Sequence, residues 1–155
     1  MHSIRTATES DKSELARLLV QLGRADDPGM VLSRWEAWRA EGNTALVAVR
    51  PDGTLSGVAT LHITTPLHRP ETMGRIHALV VDAPDRGHGI GRALVDEAER
   101  VLAAAGCALM EITSHNSLVE AHAFYRHLGY DQTSARFAKI LVTDRNHAGH
   151  TRESR

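Results

Sequence analysis

The chain has 155 residues, 42% of them hydrophobic, which suits one domain with a sizeable core. Eighteen Lys plus Arg stand against nineteen Asp plus Glu, and a net charge of -1 argues against a nucleic-acid partner or an anionic membrane surface. A single cysteine, Cys107, excludes an internal disulfide; ten scattered histidines without a cysteine partner argue against a zinc site; and no apolar run reaches the roughly 20 residues of a membrane span. With no apolar signal core over Met1–Thr6, the expectation is a metal-free cytoplasmic protein.

Ser3 to Ala7 is a short strand candidate. Ser10 or Asp11 then caps a helix with Leu15, Leu18, Leu19 and Leu22 on one face, stopped at Gly23. Asp26, Asp27 and Pro28 are start signals for a second helix, which carries Val31, Trp35 and Trp38 and ends near Gly42. Thr44 to Val49 and the alternating Leu55 to Thr64 form a hairpin around the Pro51-Asp52-Gly53 turn. After a loop over Thr65 to Thr72, the more continuously apolar Met73 to Val81 reads as a central strand.

Gly89 to Ala105 is a helix with Ile90, Leu94, Ala98, Val101, Leu102 and Ala105 on one face, closed by Gly106. Ala108 to Thr113 is a fifth strand, and Ser117 to Leu128 a helix opened by a Ser117–Glu120 capping box and ended by Gly129. A strand beginning at Tyr130 and another over Phe137 to Val142 complete the order β-α-α-β-β-β-α-β-α-β-β. That order is mixed α/β (α+β) around one sheet of about seven strands and four helices. Residues 1–143 read as the folded domain and 144–155 as a polar tail.

The segment Asp85 to Leu94 joins the central strand to the long helix and carries Gly87, Gly89 and Gly91. The first turn of a helix leaves N–H groups without partners and presents the positive end of the dipole. Glycines remove the side chains that would keep an anion from those groups, so the segment predicts a phosphate site. The Gly-x-Gly-x-Gly spacing fails the dinucleotide fingerprint Gly-x-Gly-x-x-Gly, and Arg92-Ala93 after the third glycine fails the mononucleotide P-loop.

The segment resembles the GNAT family of acetyltransferases, whose pyrophosphate loop Arg/Gln-x-x-Gly-x-Gly/Ala is matched by Arg86, Gly89 and Gly91. Leu79-Val80-Val81 matches the strand before that loop, and Tyr125 through Gly129-Tyr130 resembles the family's Tyr-x-x-x-Gly-Phe/Tyr segment. The resemblance implies a mostly antiparallel, twisted sheet with a β-bulge or splay between its fourth and fifth strands. It implies acetyl-CoA as cosubstrate, with pantetheine along Leu79, Val80 and Val81 and pyrophosphate on Arg86, Gly87, His88, Gly89, Ile90, Gly91 and Arg92. Tyr125 would contact the cofactor and protonate the departing thiolate.

An amine acceptor, direct acyl transfer and frequent homodimers are implied as well. Two positions depart from the family pattern. Arg75 stands where many relatives carry a glutamate base in the fourth strand, so His77 is the first candidate base and Glu111 the second. Leu118 stands where many carry a cofactor-contacting Asn; Asn116, two residues early, is the candidate in its place. His62 and His115 read as solvated or satisfied. Retention of Tyr125 favours an N-acetyltransferase, while the missing glutamate leaves a non-catalytic acyl-CoA sensor as the alternative. The acceptor is not named by any motif.

Overall fold

The computed structural model describes residues 2–23 and 27–141; Asp26, Val142, Thr143 and the 144–155 tail lie outside them. The elements are β1 (Ser3–Thr6), α1 (Lys12–Val20), α2 (Pro28–Ala40), β2 (Thr44–Val49), β3 (Leu55–Thr64), β4 (Thr72–Val81), α3 (Ile90–Ala104), β5 (Cys107–Ile112) and α4 (Val119–His127). Single 3-10 turns precede α1 at Glu9–Asp11 and α3 at Ala83–Asp85. By contacts the chain divides into two units, one up to Val119 and one from Glu120. Among the described residues no helix is long and apolar enough to cross a membrane.

In the first unit the five strands lie side by side in chain order. The first four pair antiparallel, and β4 pairs parallel with β5. One face of the sheet buries Val47, Val58 and Val80 with Leu15 and Leu18 of α1 and Trp35 of α2. On the other face α3 buries Ile90, Leu94, Val95, Ala98 and Leu102. Gly74 lets that helix come close: a Cβ there would sit 2.5 Å from Leu102 Cδ1. At α2, Asp27 accepts from the Gly29 N–H at 2.8 Å with Pro28 behind it, as the start signals require.

Three expectations about element ends fail. Leu22 is 43% exposed because α1 stops at Val20 and the chain turns before it. The Ser117–Glu120 capping box does not form, because the Ser117 hydroxyl pairs with His115 Nδ1 at 2.8 Å and the helix opens two residues later. The sheet has five strands rather than seven: the chain from Tyr130 to Leu141 carries no strand among the described residues. Phe137, Ile140 and Leu141 are 92%, 80% and 87% exposed, and an apolar segment without a partner strand among the described residues has no ladder to join.

Two features of β4 matter for the site. Its pairing with β5 ends at Ile76–Ile112, so among the described residues His77 to Val81 pair only on the β3 side. The sheet therefore opens between the fourth and fifth strands. Across β3, Ala78 pairs with Thr60 and Ile76 with Leu61, which leaves His77 as the extra residue of a β-bulge.

Candidate active site

The loop after β4 delivers the chain into α3 through two left-handed residues. Gly87 and Gly89 both have φ of 80°, a conformation that a Cβ makes costly. A Cβ at either would meet nothing within 4 Å, so space above the loop is open and the glycines answer to backbone shape. The first helical bond is Ala93 N–H to the Gly89 carbonyl at 3.0 Å. The amides of Ile90, Gly91 and Arg92 precede it and have no helical acceptor, which makes the helix start an anion cradle.

The base of the loop is held by charge. Asp82, only 8% exposed, accepts from Gln21 at 2.8 Å, Arg50 at 2.7 Å and Arg17 at 3.1 Å. Burial works against that carboxylate, but the three donors outweigh it and hold it at about 2. Arg50 also reaches Asp85, so one guanidinium bridges both ends of the turn before the loop. Arg86 donates to the Val81 carbonyl at 3.0 Å, tying the loop to the last residue of β4. His88 sits at 3.1 Å from the Asp85 carbonyl through Nδ1, and Arg92 is exposed on the helix 3.9 Å from Asp96.

Leu79, Val80 and Val81 lie on the part of β4 that β5 does not cover. Val80 is buried in the core with Val58, whereas Leu79 and Val81 are half-buried. Near the divergence of the strands, the Ser114 hydroxyl is buried without a partner among the described residues. An open cradle, an uncovered strand edge and an orphaned hydroxyl all fit an extended polar ligand such as a phosphopantetheine chain. A cavity of about 50 Å³ lined by Trp35, Trp38 and Asn43 is far too small for one, since such ligands need several hundred Å³ or more (about 300–1,000).

The candidate bases lie on two strands, His77 on β4 and Glu111 on β5. Arg75 and Glu111 face each other in the parallel register, and Arg75 Nε donates to Glu111 Oε1 at 2.7 Å. A second guanidinium nitrogen shares that oxygen. Glu111 is thus engaged as an ion-pair partner, and a proton acceptor there would first have to leave Arg75. His77 is exposed beside them on the bulge. Desolvation is the main effect that lowers its pKa; the positive charges of Arg75 and His62 lower it further and Glu111 opposes them. A neutral imidazole near pH 7 is the form a base requires.

The second unit holds Tyr125 in the middle of a small aromatic group. Its ring is 5.3 Å from Phe124 and 6.2 Å from Tyr130, and burial pushes its phenol up. Gly129, with φ of 91°, closes α4 so that the Tyr130 N–H reaches the Tyr125 carbonyl at 3.0 Å. Asn116 is exposed in the turn between β5 and α4. Sequence reading takes His62 as solvated or satisfied and does not single out Asn43: His62 Nδ1 lies 2.6 Å from Asn43 Oδ1, and its ring meets His77 edge-on at 5.8 Å. Only a cross-strand register could have revealed that group.

Comparison with known proteins agrees with the geometry. The model of the acetyltransferase (GNAT) family matches residues 11–130. An aminoalkylphosphonate N-acetyltransferase of Salmonella typhimurium is 38% identical over 90 residues, 58% of each chain. A mycothiol acetyltransferase of Beutenbergia cavernae is 34% identical over 82 residues, 53% of this chain and 27% of that protein. This chain thus spans little more than half, or less, of the curated relatives it matches. Among solved structures, a Trypanosoma brucei acetyltransferase superposes with a TM-score of 0.77 at 26% identity, covering 91% of this chain and 100% of that one. A glycine cradle at the start of α3, a sheet open between β4 and β5 and a family match across both place this chain in the GNAT acetyltransferase family.

Proposed function

We propose that the protein is an acetyl-CoA-dependent N-acetyltransferase acting on a primary amine by direct transfer. The observation that carries this reading is the row of unpartnered amides at the start of α3, opened by Gly87 and Gly89 and continuous in chain with the uncovered end of β4. Arg86 through Arg92 would bind the pyrophosphate, and Leu79 to Val81 would pair with the pantetheine amides. The bound thioester supplies the acyl group.

His77 takes the proton of the attacking ammonium and leaves the amine lone pair free. As the new C–N bond forms and the C–S bond breaks, Tyr125 donates its phenolic proton to the departing sulfur, and the nitrogen gives up its second proton to solvent, leaving a neutral amide and a thiol. A raised phenol pKa keeps that proton in place at neutral pH. Solvent then restores both groups. Glu111 is the alternative base only if its pair with Arg75 opens, and Asn116 is a further cofactor contact.

The Salmonella relative acts, by its name, on aminoalkylphosphonates, which supports a small-molecule amine and puts that class first in an acceptor panel. The Arg75–Glu111 pair, standing where the family usually has a base, favours a second reading as a non-catalytic acyl-CoA sensor. One experiment separates the two. Thiol release from acetyl-CoA is followed with and without aminoalkylphosphonates, amino acids, polyamines and peptide amines, in wild type and Tyr125→Phe. An enzyme turns over with at least one amine, and the variant loses about 10²–10⁴-fold in turnover with acetyl-CoA binding unaltered. Binding with no turnover across the panel leaves the sensor; full turnover in the variant removes Tyr125 from the chemistry.

A further inference from the structure

The bulge on β4 brings His77 together with groups from two other elements that the proposed mechanism does not use. Asn43, in the turn before β2, donates through Nδ2 to the Trp38 carbonyl at 2.8 Å. That bond turns its Oδ1 toward His62 on β3, where it accepts from Nδ1–H at 2.6 Å. The network thereby assigns His62 the Nδ1–H tautomer. His62 pairs across the sheet with Arg75, two residues from the bulge, and its ring meets the His77 ring at 5.8 Å with the planes 89° apart.

Two like charges at that distance repel each other. We propose that His62, oriented by Asn43, is a positioning residue of the acceptor site that keeps His77 uncharged and fixes its ring for proton abstraction. This rests on the reading of His77 as the base. Its logic is electrostatic and steric together. The edge of His62 limits rotation of the exposed His77 ring. Positive charge on the His62 ring disfavours a proton on His77. The other charged groups acting on His77 are Arg75 on its own strand, which opposes its protonation, and Glu111 on β5, which favours it.

His62→Gln tests the idea with the smallest disturbance, since the new amide can still donate to Asn43 Oδ1 but cannot carry charge. The acidic limb of kcat/KM should move up by about half a pH unit, the interaction of two unit charges at this separation in water. The KM for acetyl-CoA should stay within about twofold of wild type, while the high-pH plateau, which reports the ring contact, should fall in this variant and recover where the ring edge is kept. NMR titration of His77 in the cofactor-free protein should show the same upward shift. An unmoved His77 midpoint overturns the proposal, as does a variant that loses its plateau while the limb stays in place, the signature of a merely structural role. If the NMR midpoint moves and the rate profile does not, His62 sets the charge of His77 but His77 is not the base, and the mechanistic reading fails instead. His62→Phe, which keeps the ring edge without the charge, should shift the limb in the same direction; a limb that stays put in both folded variants is decisive against the proposal.

Discussion

The two ends of β4 build their sites from different materials. Beyond Val81 the chain makes an anion cradle from backbone: left-handed glycines, unpartnered amides and a helix dipole. Around Arg75 and His77 it makes a polar cluster from side chains that arrive from β3, β5 and the turn before β2. The first kind of site asks little of residue identity apart from glycine, so it can serve one invariant ligand. The second changes with each substitution, which suits the part of an acyltransferase that must choose its acceptor. In this chain the difference shows as a loop that matches its family and a strand face that departs from it.

The comparison breaks most directly at the cradle. Gly91→Asp places a carboxylate in the first turn of α3. Near a helix N-terminus that charge favours the fold by about 0.3–1 kcal/mol, yet it sits where a pyrophosphate would bind. Losing charge-assisted hydrogen bonds worth about 1.5–3 kcal/mol weakens binding about 10- to 100-fold. Calorimetry should therefore show poor acetyl-CoA binding by a protein that melts no earlier than wild type. Gly89→Asp should lose binding too, but with a lower melting point, because its φ of 80° strains any residue with a Cβ. Unchanged affinity in folded Gly91→Asp would put the pyrophosphate elsewhere.

The same division explains what the sequence made legible. The cradle lies within Arg86 to Arg92, and the apolar face of α3 recurs at helical spacing through Ile90, Leu94, Ala98 and Leu102, so local pattern was enough. The Asp82 clamp draws on Arg17 and Gln21, 65 and 61 residues away, and no local pattern reports such a meeting. The bulge at His77 is a property of the β3–β4 register, not of β4 alone. Arg75 and Glu111 were each weighed singly, whereas the parallel register makes them one pair. Phe137 to Val142 is apolar enough to be a strand candidate, but an apolar run supplies only one side of a ladder. Ser117 shows the reverse failure, where a valid cap motif is disarmed by the neighbouring His115.

The clamp beneath the cradle sharpens the comparison at a smaller scale. Asp82→Asn keeps the shape but weakens the bonds to Arg50 and Arg17, which should cost about 1–3 kcal/mol. Acid should do the same to wild type. The Asp82 carboxyl is held at about 2 in the folded state, below the ordinary aspartate value near 3.9, so its contribution is complete above that ordinary value and is lost as pH falls toward about 2. Thermal melts across pH 2–5 should show a steeper acid decline in wild type than in Asp82→Asn. Parallel declines would mean that the clamp contributes nothing measurable.

The smallest effect belongs to the side-chain end of β4, and there the sign matters more than the size. Arg75 and Glu111 are both partly exposed, so their pair is worth no more than about 1 kcal/mol, and Glu111→Gln should scarcely change the melting point. Glu111 nevertheless favours a proton on His77, so removing its charge lowers the pKa of that imidazole further. A base with a lower pKa is free at lower pH. The acidic limb of kcat/KM in Glu111→Gln should therefore move down by about a few tenths of a pH unit, with the plateau little altered. That direction is opposite to the shift expected of His62→Gln, because one variant removes a negative neighbour of His77 and the other removes a positive one. If Glu111 were itself the base, the substitution would abolish the limb and collapse turnover instead, and the ion pair with Arg75 would have to be a resting state that opens to admit the amine.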